Sequence, residues 1–522
     1  MMPARREIEL KLELPVDRIA RLYRSSLLKA AAAASHKLVT AESVYFDTAK
    51  MQLRSNGLSL RVRRIGHRHV QTIKQEGGRS AGLFARNEWE CDIGGRWPDL
   101  DAAKGTALEH LLSERTHLKP IFSTRVKRKV YSIHKGNSEV DLIVDRGKIL
   151  SGRRSSPVCE VDLRLKQGKV DQLFKLARAL DEEVPTQLAL ESKTDRGYVL
   201  IGAEKPATVK KGPVALTPDF STEAAFQTIA RACLRQLVAD ELAMQIGESE
   251  ALHQMRIALR RMSAAISLFS DMLHCPQTEA LKAEFRWIGG ELAPARDLDV
   301  FIARMGKPVA GATPRRPGVA ILSKALRNRY QRAFSRAQIA VRSARFRGLV
   351  LDTAAWIETG EWTLNTKKLA HSMRERPIAV VVAKKLRRYR RQIIKRGAQL
   401  GKLDPQRRHK LRIRVRKLRY ACEFCAGVFP GKQSSRRQEK FVAAIKNLQD
   451  TLGDLNDLVV QEKLTKQIVD GHRASATQHR GRAESPALAG GRSGHKQARM
   501  ACLLKDAERT YRLFAKAQPF WS

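Results

Sequence analysis

Carboxylates two residues apart recur through the first 200 residues and carry the clearest chemical signal in the sequence. Glu7 and Glu9 are followed in step by Lys11. Glu88 with Glu90 and Glu160 with Asp162 repeat the spacing, and Asp141 with Asp145 spans two such steps. Successive side chains of a strand alternate between faces, so each pair projects to one side. Arg61 and Arg63 do the same with positive charge, and Lys74, Arg86, Arg125 and Arg128 add to it. Carboxylate oxygens from separate strands suit hard divalent cations such as Mg2+ or Mn2+. Guanidinium and ammonium groups on adjoining strands suit phosphate oxygens, arginine by bidentate contact. Together the two sets describe a site for a metal-bound oligophosphate. A solvated strand face with cross-strand ion pairs explains any one of these pairs. It does not explain five same-sign pairs segregated by strand, whereas a closed barrel with a polar lumen does.

The elements that must position these groups are legible around them. Alternation marks strands at 7–14, 58–64, 70–75, 87–93, 140–145 and 159–165, separated by turn signals such as Asn56-Gly57 and Gly136-Asn137. Helices are expected near 15–34 and 169–181. Trp89, between two glutamates, falls on the opposite face and reads as core; His67 and His69 read as exposed. Residues 204–219 hold three prolines and no periodicity, so 204–217 read as a linker after a first domain at 1–203.

Beyond the linker the pattern changes to long amphipathic helices rich in Ala, Leu and Arg. This half contains a duplication. His253, Arg256 and Arg260 recur as His409, Arg412 and Arg416, with Lys417 and Arg419 following. On a helix each trio forms one stripe of one face, and Leu252, Met255, Leu259 and Met262 form the adjacent packing stripe. Two pseudo-symmetric helical bundles are expected over 218–518, repeat one near 218–304 and repeat two near 319–518. Their basic stripes would line a groove for a flexible polyanion. Asp297 and Asp457 are expected to pair with these cations and orient them. The polar stretch 305–318 reads as a loop, and the low-complexity stretch 471–497 as a disordered one. The run KKLRRYRRQIIKR at 384–396 matches an ordinary solvated helix face only in part.

Composition sets the outer bounds. The 522 residues carry a formal charge of +45, which points to polyanionic partners. Residues 1–200 hold 37 basic and 25 acidic residues, so most of the excess lies in the helical half. Aromatic residues make up 6% and none interleave with the arginines as a stacking motif, which favours phosphate recognition over base recognition. Seven scattered cysteines suggest reduced thiols and a cytoplasmic setting, and Cys422 and Cys425 read as buried helix residues. No signal peptide or membrane-spanning stretch is expected; PIAVVVA at 377–383 is too short.

The E-x-E-x-K of 7–11, the Tyr45-Phe46-Asp47 strand end, Arg61-x-Arg63, Lys74, Arg86-x-Glu88-x-Glu90, Arg125-x-x-Arg128, Asp145-x-Gly147, Glu160-x-Asp162 and Ser192-Lys193 resemble, in this order, the CYTH family of triphosphate tunnel metalloenzymes. The resemblance implies an eight-stranded antiparallel tunnel in an α+β multidomain chain. It implies Glu7, Glu9, Glu160 and Asp162 as metal ligands, with Glu88, Glu90 and Asp145 beside them. Lys11, Arg61, Arg63, Lys74, Arg86, Arg125, Arg128 and Lys193 would bind phosphates. Asp162 departs from the family's usual glutamate. The two His-Arg-Arg stripes resemble the CHAD module, which is associated with polyphosphate. That resemblance makes His253, Arg256, Arg260, His409, Arg412, Arg416 and Lys417 the expected anion contacts. The fusion is similar to bacterial inorganic triphosphatases, so the expected reaction is Mg2+- or Mn2+-dependent hydrolysis of inorganic triphosphate. Alternatives are nucleotide or thiamine triphosphate hydrolysis, adenylyl cyclisation, or a non-catalytic polyphosphate- or RNA-binding protein.

Overall fold

The computed structural model describes residues 5–34, 36–76, 82–111, 117–202, 214–305, 317–364, 368–478 and 493–521. Nine strands build its first half: β1 (Arg5–Glu13), β2 (His36–Thr48), β3 (Leu58–Ile65), β4 (Arg68–Gln75), β5 (Leu83–Ile93), β6 (Leu118–Lys135), β7 (Ser138–Ser151), β8 (Arg154–Gln167) and β9 (Gln187–Leu188). Their order is β5-β4-β3-β2-β6-β7-β8-β1-β9, and a further β1–β5 pairing closes eight of them into an antiparallel barrel. The two-residue β9 adds to β1 as a ninth strand. Helices α1 (Ile19–Tyr23), α2 (Ser26–Ala34), α3 (Gln52–Ser55), α4 (Asp171–Glu183) and α5 (Lys193–Leu200) accompany the barrel.

The barrel inverts the usual polarity of a strand pair. Leu10, Leu12, Leu142, Val144, Val161 and Leu163 face outward into a core shared with α1, α2 and α4. Leu60, Val62, Ile73 and Trp89 face outward into a second core with Ala103 and Leu108, so Trp89 lies where alternation put it. The charged residues are left to the lumen. At Gly147 in β7 a Cβ would sit 2.0 Å from the Arg125 carbonyl oxygen, so the two strands approach as closely as they do only because no side chain is there.

One end of the lumen is closed by α5. Its capping box joins Ser192 and Asp195 reciprocally. Tyr198 then packs with Tyr45, Phe122, Ile149 and Val158 and donates to the buried Asp47 at 2.7 Å. The segment expected as one helix over 15–34 is a 3-10 turn followed by α1 and α2, interrupted at Ser25.

The second half is helical: α6 (Thr222–Ala239), α7 (Glu241–Ile246), α8 (Ser249–Leu268), α9 (Pro276–Met305), α10 (Pro317–Arg342), α11 (Ala344–Thr359), α12 (Lys368–Glu375), α13 (Ile378–Gly397), α14 (Pro405–Phe424), α15 (Lys432–Gln478) and α16 (Ser493–Lys516). The two stripe helices, α8 and α14, occupy equivalent places in the duplication and pack on one another. Cys422 and Cys425 are buried free thiols in this core. The disordered loop expected over 471–497 is helical at both ends, since α15 continues to Gln478 and α16 starts at Ser493; residues 479–492 lie outside the described set. The same holds for 306–316 and for 203–213, while Val214 and Leu216 at the end of the expected linker are buried.

One continuous core links the halves. Arg347 of α11 donates to the buried Asp181 of α4 at 2.8 Å. Gln187 of β9 donates to Glu241 of α7 at 3.0 Å. Among the described residues, no helix is long and apolar enough to cross a membrane.

Candidate active site

Strand β1 sets the site. Its odd positions Glu7, Glu9 and Lys11 face the lumen opposite Arg86 of β5 and Arg164 and Asp162 of β8. Glu7 accepts from Lys74 and contacts Arg164 at 2.7 Å. Glu9 contacts Lys11 and Arg86, each at 3.2 Å. Burial opposes ionisation of Glu9, but Lys11, Lys74, Arg86 and Arg164 outweigh it and hold the carboxyl well below its ordinary value. Glu88 is similarly held down to about 2, with Lys74 at 3.1 Å and Arg61 at 3.8 Å overcoming its burial.

Beside β1, strands β7 and β8 bring Asp145, Glu160 and Asp162 together, all buried, with carboxylate oxygens within 4.8 Å of one another. Asp145 receives Arg128 through two parallel bonds of 2.8 and 2.6 Å. Lys193, the first residue of α5, sends its ammonium into the same cluster, 2.9 Å from Asp145 and 3.5 Å from Asp162, and also bonds Glu160. Burial together with the charges of Glu9 and Asp145 pushes the Asp162 carboxyl upward despite Lys11 at 2.9 Å. Burial, reinforced by Lys11 and Arg128, pulls Lys193 down to about 7 against the pull of Asp145. The Oε2 atom of Glu160 is buried with no hydrogen-bond partner. An orphaned oxygen in an all-oxygen carboxylate cluster fits a hard divalent cation.

The rest of the lumen is a cationic wall. Arg61 is buried and its guanidinium is stabilised by Tyr45 and Glu88. Arg63 stands nearby, pushed down to about 9 by burial and by the charges of Arg61 and Arg128. Arg61 and Arg164 each bury an Nε with no partner. Polar groups so placed, in a lumen rich in cations, are matched by the oxygens of a polyanion.

Two expected contacts stand elsewhere. Arg125 is 68% exposed on the outer face, paired with Glu42 at 2.7 Å. It lies three residues from Arg128, and an odd step along a strand changes face. Glu90 keeps the parity of Glu88 but is exposed and outside the carboxylate cluster. The metal set expected as Glu7, Glu9, Glu160 and Asp162 is divided: among the described residues the carboxylate cluster holds Glu160 and Asp162 with Asp145, while Glu7 and Glu9 stand outside it. His67 is exposed and His69 half-buried, both on turn-proximal positions of the β3–β4 hairpin.

Sequence reasoning missed Arg164, and named Tyr45 only within a strand-end motif, without a role. Arg164 could have been found by continuing the Glu160, Asp162 alternation one step. Tyr45 gave no such signal, because its role comes from pairing opposite Arg61 in the β2–β3 register.

In the helical half the two basic stripes converge. Arg256 is pushed down to about 10 by burial and by Arg260, Arg296 and Arg412, and Arg416 to about 10 by burial and by Arg260, Arg412 and Arg256. Cations from both repeats are therefore close enough to repel. Asp297 contacts Arg256 at 3.6 Å, and Asp457 with Asp297 partly offsets the charge around Arg412. His409 Nδ1 hydrogen-bonds Asn456 at 2.8 Å, and His253 is half-buried on the corresponding turn of α8. Lys417 points away from this groove, donating to Ser267 at 2.9 Å on the α13 side.

Comparison with known proteins agrees with this division. Residues 5–198 match the CYTH domain and residues 228–466 the CHAD domain. Over 199 residues the chain is 28% identical to the inorganic triphosphatase of Haemophilus influenzae, covering 37% of this chain and 54% of that protein, so it spans about half the relative's length. Among solved structures, it is similar to the CHAD domain from the plant Ricinus communis, at 27% identity and a TM-score of 0.43 over 58% of this chain and 95% of that one. A putative adenylyl cyclase from Hippeastrum, whose description reports a dominant triphosphatase activity, is 19% identical with a TM-score of 0.29 over 38% and 98%. The two family matches fall on the barrel and on the helical half, and the chain is a CYTH domain followed by a CHAD domain.

Proposed function

We propose that the barrel hydrolyses inorganic triphosphate to diphosphate and phosphate, and that the helical half holds polyphosphate. The observation that carries the first part is the lumen itself, where Asp145, Glu160 and Asp162 converge among buried arginines and lysines. The similarity to an inorganic triphosphatase supports the choice of substrate.

In this reading Asp145, Glu160 and Asp162 hold Mg2+ or Mn2+, with Glu7, Glu9 and Glu88 near enough to the lumen to take part. When bound, the cation supplies Lewis-acid charge neutralisation and an activated water. The chain's own groups do the rest. Arg61, Arg63, Arg86, Arg128 and Arg164 grip phosphate oxygens with forked donors. Lys11 and Lys74 add point charges, and Lys193 moves from the carboxylate cluster to the substrate. Phosphoryl transfer needs positioning and charge stabilisation more than covalent help, and fixed donors in a buried lumen provide both. The apolar plug formed by Tyr198, Tyr45 and Phe122 excludes water from one end.

The paired stripes on α8 and α14 support the polyphosphate part. Arg256, Arg260, Arg412 and Arg416 repel one another as they stand, and a flexible polyanion relieves that repulsion. The test of substrate choice is phosphate release from tripolyphosphate, ATP and thiamine triphosphate with either metal. Tripolyphosphate is expected to give the highest kcat/KM, and a preference for ATP or thiamine triphosphate would move the reaction to the other substrate class.

A further inference from the structure

A pocket of about 240 Å3 opens between α13 and α14, lined by Tyr389, Gln392, Lys410, Ile413, Arg414 and Lys417. It does not belong to the groove. On α14 the groove stripe is His409, Arg412 and Arg416, whereas Lys410, Arg414 and Lys417 form a second stripe at i, i+4 and i+7. With ~100° per residue, that stripe lies about a third of a turn further round the helix.

Among the described residues, three cations line the pocket and no carboxylate does. Arg414 donates to the neutral Gln392 at 2.6 Å, and Lys417 to the neutral Ser267 hydroxyl at 2.9 Å. Asp271, the acidic group on this side, is taken by Lys385 at 2.7 Å. Burial and the charge of Arg396 depress Arg414, while burial with Arg414, Arg416 and Lys282 depresses Lys417. Half-buried cations held beside other cations, with only neutral partners, lack a counter-charge.

The duplication shows that this face is not a by-product of the helical framework. At the 156-residue offset that matches His409 to His253 and Arg412 to Arg256, Lys410 corresponds to Gln254 and Arg414 to Ala258. The groove stripe is kept in both repeats, but the basic pocket face is full only in the second. Tyr389 and Gln392 come from the basic run 384–396, which thereby gains a role beyond a solvated face.

We propose that this pocket binds a phosphoryl group, either of free diphosphate or of a polyphosphate chain, as an anion site distinct from the lumen and the groove. A guanidinium fork flanked by two ammonium groups matches tetrahedral phosphate oxygens. The volume is below the roughly 300–1,000 Å3 of sites for drug-sized molecules and accommodates a compact inorganic group. The proposal does not depend on which substrate the barrel hydrolyses.

The test is hydrogen exchange of the full chain, titrated separately with diphosphate and with long-chain polyphosphate. Amides of α13 and α14 around the pocket are expected to slow. Protection by diphosphate identifies a free anion as ligand, protection by the long chain alone identifies a chain segment, and either supports the site. The double variant Arg414→Gln/Lys417→Gln should weaken that response by about tenfold or more, the effect of losing a charge-assisted bond. Lys410→Gln, at an exposed position that does not endanger folding, should weaken it in the same direction, and Arg125→Gln on the outer face of the barrel should leave it within about twofold. No protection by either probe, or protection unchanged in both pocket variants, overturns the proposal.

Discussion

Lys193 Nζ lies 2.9 Å from Asp145 Oδ2, so the first residue of a helix places an ammonium inside a buried carboxylate cluster. Burial with the charges of Lys11 and Arg128 holds that ammonium down to about 7. It is therefore charged below about pH 7 and neutral above. As a cation lost to the substrate on deprotonation, it should make KM for tripolyphosphate rise with pH, by up to about tenfold per unit above its pKa. Lys193→Arg, ionised throughout, should flatten the profile. Stability has the opposite slope: the unfolded chain, with lysine near 10.4, binds more protons from about pH 7 to that value, so this group's contribution to folding improves as pH rises across the window. KM measured from mildly acid to mildly alkaline pH checks the sign.

Asp145 accepts from both Arg128 and Lys193 at full burial. Asp145→Asn leaves two buried cations short of a counter-charge, and should destabilise the barrel by about 3–5 kcal/mol. Urea denaturation followed by a probe in the barrel reads this directly. A loss below about 1 kcal/mol would mean that water already screens the cluster.

Arg125 and Arg128 offer a contrast on one strand. Arg125→Ala should leave kcat/KM for tripolyphosphate within about twofold, as for other exposed ion pairs. Arg128→Ala should lower it by about 100-fold or more, the usual loss on removing a preorganised donor. Equal effects would show that the two faces of β6 are not functionally distinct.

The same pair shows what the sequence made legible. Alternation alone oriented Glu7, Glu9, Lys11, Arg61, Lys74, Arg86, Glu88, Glu160 and Asp162, because a period of two holds on any strand. Arg125 was grouped with Arg128 by adjacency within a motif, against that period. Strand β6 was hard to see, since Pro120 and its run of basic residues blur the alternation. The α5 plug was invisible for another reason. Tyr45, Phe122 and Tyr198 meet from three distant segments, and only register brings them together. In the helical half the repeat identified both stripes, but assigned Lys417 to the groove when helical phase turns it toward α13.

The groove carries a trade between stability and binding. Arg412 is depressed by burial and by Arg260, and it in turn depresses Arg256 and Arg416. Arg412→Gln should therefore raise the denaturation midpoint of the helical half by about 2 °C while weakening its hold on long-chain polyphosphate by about tenfold. Differential scanning calorimetry and a polyphosphate titration at one fixed salt concentration measure the two sides.

The central claim is that the lumen carboxylates perform triphosphate hydrolysis. Phosphate release from tripolyphosphate with Mg2+ or Mn2+, compared between the wild-type chain and Glu7→Ala and Glu160→Ala variants shown to be folded by circular dichroism, tests it most directly. The account predicts turnover in the wild type and its loss in both variants. Turnover surviving both substitutions would contradict it.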